Sequence, residues 1–186
     1  MPPKIKIRKK DIINAAVDLV RQNGESAINA RNIASVLNCS TQPVFSNFET
    51  MEELRCAVIK AAENLCGEYI NREIEKAEYP PYKASGMAYI RFAKEERELF
   101  KLLYMRDRSG EVVAEEDALF SRMENIVHDN TGLVGDDTKI FHLEMWAYVH
   151  GIATIIATGF CDLDENLVSK MLTDVYQSMK KYYGVD

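Results

Sequence analysis

Apolar side chains recur every three or four residues along almost the whole chain, which is the spacing required by one face of an α-helix. No stretch alternates apolar and polar β-branched residues between hairpin turns, as an antiparallel sheet would. The sequence therefore predicts an all-α protein. Its 186 residues suffice for a small helical module followed by a larger one.

Local signals predict three short helices in the first fifty residues. The first should end at Gly24, which follows an asparagine, and Asn29 should cap the second. After a tight turn, Ser40 is expected to cap a third helix with Pro43 in its first turn and an end near Asn47. The apolar residues that should face inward are Ile12, Ile13, Ala16, Leu19, Val20, Ile33, Ala34 and Leu37.

A long fourth helix should begin after Thr50, since Thr50 and Glu53 form a capping box. It should end at the Tyr79-Pro80-Pro81-Tyr82 segment, because a residue before proline avoids helical geometry. Its expected buried stripe consists of Leu54, Val58, Ala61, Leu65 and Tyr69. Later helices are predicted near 82–94, 96–106, 112–130, 138–160 and 164–183, with Asp162 and Glu165 as a cap pair for the last.

Composition excludes several classes of protein. The 47% hydrophobic and 28% charged residues are near the averages of soluble globular chains, and no run approaches the roughly 18 apolar residues of a membrane span. A cytoplasmic protein is therefore expected. The four cysteines form no CxxC pair and should be reduced thiols. His142 and His150 are spaced poorly for zinc, and no catalytic motif is present, so we expect neither a cofactor nor an enzyme.

Charge is distributed unevenly along the chain. Residues 1–50 contain seven basic and four acidic side chains, a net charge of +3, which leaves −9 for the remainder. This distribution fits a polyanion contacted by one end of the molecule, although a basic N-terminus is often only a solvated arm. Two short helices joined by a three-residue turn also form the minimal helix-turn-helix, which occurs both in DNA-binding proteins and in other helical proteins.

The same region resembles the tetracycline-repressor (TetR) family of bacterial regulators over roughly residues 11–60. Matching segments are Ile12-Ile13-Asn14-Ala15-Ala16 in the first helix, Gly24, Arg31-Asn32-Ile33-Ala34 in the second helix, residues 40–48 in the recognition helix and Glu52-Glu53-Leu54 in the fourth. The segment Trp146-Ala147-Tyr148-Val149-His150-Gly151 is similar to a C-terminal signature of some members. The chain departs from the family at Phe45, Met51 and Ile28, where members often have tyrosine, lysine and threonine.

The resemblance implies an N-terminal DNA-binding domain, residues 1–50, and a C-terminal helical domain for effector binding and dimerisation, residues 51–186. Side chains with amides, hydroxyls or positive charge suit base edges and phosphates. Phe45 and Phe48 are expected mainly to pack the small core, although Phe45 stays among the contact candidates. The candidate DNA contacts are Lys6, Arg8, Lys9, Lys10, Asn29, Arg31, Ser40, Thr41, Gln42, Phe45, Ser46 and Asn47.

Two further groups of residues are predicted in the C-terminal domain. The penultimate helix has small residues at helical spacing, and the last helix has an apolar stripe. This pattern predicts either a four-helix dimer interface or packing within one chain. The residues concerned are Ala147, Gly151, Thr154, Thr158, Met171, Val175 and Met179. Aromatic and methionine side chains form either an effector site or plain core: Tyr89, Phe92, Phe100, Tyr104, Phe120, Met123, Trp146 and His150.

The resulting expectation is a homodimeric, ligand-responsive regulator, typically a repressor. It would bind a near-palindromic operator and be released by a small-molecule effector. The alternative is a helical ligand-binding or enzymatic protein of the same fold that no longer binds operator DNA.

Overall fold

A computed structural model describes residues 7–107 and 118–185, with side chains from 120 onwards in the second range, and both ranges contain only helices and their connections. The all-α prediction is confirmed. The helices are α1 Lys9–Asn23, α2 Ala30–Val36, α3 Gln42–Asn47, α4 Met51–Lys76, α5 Pro81–Glu95, α6 Arg97–Tyr104, α7 Ala118–Thr131, α8 Asp136–Ala157 and α9 Glu165–Tyr182. The predicted start of α7 near residue 112 lies outside the described residues.

Most predicted boundaries agree with the structure, and the exceptions have local causes. Helix α3 begins one residue later than predicted, with Thr41 instead of Ser40 at the cap position. Helix α4 ends at Lys76, ahead of the prolines, because Ala77 adopts a left-handed conformation with φ of 54°. The cap of α9 is Asp164, whose carboxylate accepts from the amide of Leu167 at 2.9 Å. Asp162, the predicted cap, instead pairs with Lys94.

The buried side of α4 differs from its predicted stripe. Leu54 and Val58 are buried, but the next buried residues are Ala62, Cys66 and Ile70. Each step of four residues turns about 40° beyond a full circle in an ideal helix, so this stripe winds around α4. The predicted stripe assumed one straight face, which is why it placed Ala61, Leu65 and Tyr69 in the core.

The residues pack into two compact units. The head unit comprises Met1–Leu65 and Glu96–Arg106, and the body unit comprises Cys66–Glu95 and Asp107–Asp186. In the head unit α1 packs against α2, α3 and α6. Its largest fully buried side chains are Ile12, Val20, Ile33, Val44, Leu54, Val58, Leu99, Phe100 and Leu102. The predicted domain boundary between residues 50 and 51 stays a prediction.

Helix α8 is the centre of the body unit, where it packs against α5, α7 and α9. Among the described helices it alone is long and apolar enough to span a membrane by length and composition, with a mean hydropathy of 1.3 in its best window. Its apolar residues are interrupted by polar ones, so the expectation that no continuous apolar run approaches the length of a membrane span is unchanged. A core helix passes the same test, and α8 buries Phe141, Met145, Ile152 and Ile156 in the body unit.

Candidate functional site

The turn between α2 and α3 is fixed by backbone hydrogen bonds. The amides of Cys39 and Asn38 donate to the carbonyls of Ala34 and Ser35 at 2.9 and 3.2 Å, and Asn38 has a φ of 49°. These bonds form a Schellman motif, in which the residue after a helix turns left-handed and satisfies the last carbonyls. Asparagine tolerates this conformation better than most residues. The turn thus holds α3 in one direction relative to α2.

The start of α2 is capped as predicted. The Asn29 side-chain oxygen accepts from the amide of Asn32 at 2.9 Å, and the Asn32 side chain donates to the carbonyl of Ala27 at 3.1 Å. Arg31 is exposed beside this cap and forms no hydrogen bond or ion pair in residues 7–107 and 118–185. The structure therefore gives Asn29 a structural role and leaves the guanidinium of Arg31 accessible.

Helix α3 presents two different surfaces. Val44 and Phe48 are buried, which confirms the packing role expected of Phe48. Phe45, also expected mainly in the core, is 58% exposed, so that part of the prediction is wrong. Gln42 is exposed on the same side, and its amide has no hydrogen-bond partner in the described part of the chain.

The remaining polar residues of this segment are partly engaged within the helix. The Ser46 hydroxyl and the Asn47 amide both donate to the carbonyl of Pro43, at 3.1 and 2.8 Å. Ser40 is exposed and Thr41 is half-buried. Asn47 thus helps to close α3, whereas Gln42 is the polar side chain of α3 that is fully available to another molecule.

Two of the basic residues at the start of α1, Arg8 at its cap position and Lys9 in its first turn, pair with acidic groups of the head unit. The Arg8 guanidinium donates to both carboxylate oxygens of Asp11 at 3.1 Å, and this hydrogen bonding lowers the pKa of Asp11. The Lys9 ammonium lies 2.7 Å from Glu53 and 4.5 Å from the centre of the Phe48 ring. Lys10 is exposed. Lys6 lies outside the described residues.

Two tyrosine–histidine pairs join α5 to α8 in the body unit. The Tyr82 hydroxyl lies 2.9 Å from Nδ1 of His142, and the Tyr89 hydroxyl lies 2.9 Å from Nδ1 of His150. Burial lowers the pKa of His142 to about 4 and also lowers the pKa of His150. Both imidazoles are therefore neutral near pH 7. The Tyr82–His142 pair was missed, since no spacing rule links a tyrosine to a histidine sixty residues away.

Most of the predicted effector residues lie in the same unit as these pairs, and two of them contact the histidines. Trp146 stacks on His150 with ring centres 4.9 Å apart, and the Phe120 ring lies 4.3 Å from that of His142. Met123, Tyr89 and Phe92 are buried in the same unit. Phe100 and Tyr104 instead belong to the head unit, where their rings are 5.0 Å apart. The body unit thus contains six of the eight candidates.

Helix α8 also carries an exposed face that no residue in 7–107 or 118–185 covers. Ile140, Leu143 and Ile155 are 46%, 51% and 36% exposed, and the predicted interface residues Ala147 and Gly151 lie among them. A Cβ atom added at Gly151 would meet no other atom within 4 Å. We call these five residues the α8 face.

The predicted stripe on α9 serves partly to pack the chain itself. Val168 and Leu172 are buried. Val175 and Met179, predicted at the dimer interface, pack against Val127, Phe141 and Met145 of the same body unit. Met171 is half-buried. Thr154 is half-buried on α8, and Thr158, which follows the last residue of α8, is exposed.

A buried carboxylate links three segments of the body unit. Glu73 is 2% exposed and accepts from Arg91 at 2.5 Å and from Lys76 at 3.0 Å, while Arg91 also donates to Glu165 at 2.5 Å. Breaking such a buried pair leaves an uncompensated charge, so the network fixes the packing of its segments. In residues 7–107 and 118–185 no three His, Cys, Asp or Glu side chains are grouped to hold a metal ion.

Known structures with the same fold cover nearly the whole chain. A TetR-like transcriptional regulator from Rhodococcus sp. RHA1 is 16% identical, with a TM-score of 0.68 and coverage of 95% of this chain and 96% of that one. A protein of unknown function from the same organism is 20% identical, with a TM-score of 0.73 and coverage of 100% and 99%. A TetR-family member from Streptomyces coelicolor A3 is 17% identical, with a TM-score of 0.62 and coverage of 92% and 98%.

Comparison with curated proteins gives no significant match. The family model described as the tetracyclin repressor-like C-terminal domain matches residues 82–175, which is half of the chain. That segment contains α6, α7 and α8, nearly all of α5 and most of α9, including both tyrosine–histidine pairs and the α8 face. The chain therefore belongs to the tetracyclin-repressor (TetR) family of transcriptional regulators.

Proposed function

We propose that this protein is a homodimeric repressor that binds a near-palindromic operator through α3 and is released when a small molecule binds in its body unit. The observation that carries the proposal is the outer side of α3, where Gln42 and Phe45 are exposed behind a rigid turn. A glutamine amide suits the paired donor and acceptor of adenine in the major groove. Action on operator DNA implies a cytoplasmic protein.

The proposed dimer forms through the α8 face, with α9 beside it. Two copies of α8 would approach closely at Ala147 and Gly151, where the side chains are small, and would cover the apolar side chains of Ile140, Leu143 and Ile155. Dimeric helix-turn-helix proteins present their two recognition helices to major grooves one helical turn, about 34 Å, or a multiple of it apart. The operator should therefore be near-palindromic.

The proposed effector contacts are the aromatic residues of the body unit around Tyr89, Trp146 and His150. Their neutral imidazole, phenol and indole groups offer hydrogen bonds without a charge, which favours an uncharged or weakly polar ligand. Release requires the ligand to prefer a conformation of the dimer that fits the operator poorly. Val175 and Met179 pack within this unit, so we assign them to its core and not to the dimer interface.

Selection of DNA from a random pool by the intact protein tests the proposal directly. We expect a near-palindromic consensus, and Gln42→Ala should relax its preference at one symmetric pair of positions, at a cost of about 1–3 kcal/mol for each lost base contact. Gln22→Ala is the matched control, because Gln22 is an exposed amide of α1 in the same unit. Failure to select any consensus, with folded protein, would contradict the proposal.

Arg31→Ala should behave differently from Gln42→Ala. A phosphate contact carries no base information, so its loss should weaken all sequences about equally and reduce the salt dependence by about one unit of slope for each contact. Asn47→Ala is less informative, since its amide also donates to Pro43. If Gln42→Ala and Arg31→Ala both bind like the parent, α3 and the start of α2 are not the DNA-reading surface.

A further inference from the structure

The exposed ring of Phe45 has no structural explanation within the described part of the chain. Phe45 lies on α3 between Val44 and Ser46 and is 58% exposed, whereas Val44 and Phe48 are 1% and 2% exposed. Its side chain therefore points away from the core of the head unit. A partner that covers this ring removes apolar surface from water, and this burial would favour binding of the partner.

The partner of this ring is constrained by its chemistry. Phenylalanine has neither a hydrogen-bond donor nor an acceptor, so it forms no hydrogen bond with a phosphate or a base edge. In the major groove the apolar group that distinguishes one base from the others is the C5-methyl group of thymine, and phenylalanine is among the side chains that contact it. A phosphate or a polar base edge would gain no hydrogen bond from this ring.

Gln42 gives the position of the ring within the proposed reading surface. It precedes Phe45 by three residues, and residues at that spacing are neighbours on one side of a helix, about 5–6 Å apart at Cβ. Base pairs are about 3.4 Å apart along the duplex. The two side chains therefore reach the same base pair or pairs that are one or two steps apart.

We propose that Phe45 is a specificity-determining residue that reads a thymine methyl group in each half-site, within two base pairs of the base contacted by Gln42. The proposal rests on the DNA binding proposed above. It assigns a role to the residue in which this chain differs from the tyrosine often found in the family.

Replacement of thymine by deoxyuridine tests the contact, because it removes the methyl group and leaves the base-pairing and hydrogen-bonding groups unchanged. Each thymine of the selected half-site is replaced in turn, on both halves of the palindrome. For the parent protein we expect one position at which affinity falls about fourfold per half-site, or about fifteenfold for both, as the burial of one methyl-sized group predicts. Phe45→Ala should be insensitive at that position.

Two further variants control for fold and for general apolar contacts. Phe45→Leu keeps an apolar side chain and should retain part of the methyl preference. Val36→Ala is the matched control, because Val36 is apolar and 50% exposed in the same unit but lies at the end of α2. It should keep the full thymine dependence. Since Phe45 is mostly exposed, its replacement by alanine should leave thermal unfolding unchanged.

The outcomes separate this inference from the proposed function. If the parent binds its operator selectively but no deoxyuridine position distinguishes it from Phe45→Ala, the thymine contact is refuted while DNA binding stands. If the parent selects no sequence at all, the proposed function fails and this inference with it. A methyl effect that disappears only in Phe45→Ala supports both.

Discussion

Replacement of Gly151 by leucine should separate the proposed dimers while leaving each chain folded. A Cβ at Gly151 meets nothing within 4 Å, and the residue lies inside α8, where leucine favours helix by up to about 1 kcal/mol relative to glycine. The isolated chain should therefore be unharmed or slightly stabilised. In a dimer the leucine would enter the contact between two α8 helices, whose axes pack about 8–10 Å apart.

The expected weakening of the dimer by Gly151→Leu follows from overpacking at the contact between the two α8 helices. Extra methylene groups forced into a packed contact typically cost about 1–3 kcal/mol, and a two-fold interface contains the substitution twice. A loss of about 2–6 kcal/mol raises the dimer dissociation constant at least about thirtyfold. Sedimentation velocity over a range of concentrations should detect this change, with circular dichroism as the check on folding.

The matched comparison uses two other helical glycines. Gly67→Leu lies in α4, where an added Cβ also meets nothing within 4 Å, and should leave the dimer unchanged. Gly86→Leu should destabilise the chain itself, because its Cβ would lie 3.3 Å from Leu172 and 3.4 Å from Val149. If Gly151→Leu sediments as the parent does and unfolds at the same temperature, the dimer does not use the α8 face.

Two further predictions concern stability. Asn29→Ala removes the acceptor for the Asn32 amide and should lower the free energy of unfolding by about 1 kcal/mol in denaturant titrations; Asn14→Ala, an exposed position in α1, should change it by less than about 0.5 kcal/mol, and equal effects would argue against the cap. The pKa of His142 is about 4 when folded and 6.5 ordinarily, so the unfolded chain binds the proton more readily. Stability should therefore fall as pH drops from about 6.5 to about 4. Between about pH 7 and pH 4.5 protonation of His142 should lower the free energy of unfolding by about 2 kcal/mol. A His142→Asn variant with the same pH dependence of stability as the parent would refute this prediction.

The sequence predicted best those features that local interactions determine. The end of α1 at Gly24, the Asn29 cap and the tight turn at Asn38 each depend on a few neighbouring residues, and the structure contains all three. Phe45 was misplaced because α3 has only six residues, which is too short for the spacing of apolar side chains to define an inner side. The prediction therefore placed Phe45 in the core because phenylalanine is hydrophobic, whereas tertiary packing leaves its ring exposed.

Features that depend on distant contacts were less predictable. The tyrosine–histidine pairs join residues about sixty positions apart, and Glu73 pairs with Arg91 across two helices. Periodicity indicates that Phe100 is buried but not in which core, and α6 packs against α1 in the head unit. The same ambiguity applies to Val175 and Met179, whose apolar stripe could have faced either the chain itself or a partner.

The pairing of charges in the head unit changes what net charge implies about DNA binding. Residues 1–50 have a net charge of +3, but Arg8 pairs with Asp11, Lys9 with Glu53, and Arg21 with Asp18 and Glu96. These pairs are largely exposed and therefore weak, typically below about 1 kcal/mol, so a phosphate can replace the carboxylate at little cost.

Such an exchange contributes less binding free energy than a phosphate contact made by an unpaired cation. The reason is that the released carboxylate stays nearby and repels the DNA. Among the described residues 7–50, Lys10 and Arg31 form no ion pair with any described residue, so both can approach phosphates without this penalty. The nonspecific attraction that residues 7–50 contribute to the proposed DNA complex should accordingly be modest. In the proposed complex, sequence-selective contacts from the exposed side of α3 should then account for a larger share of the operator affinity than they do in a strongly basic DNA-binding domain.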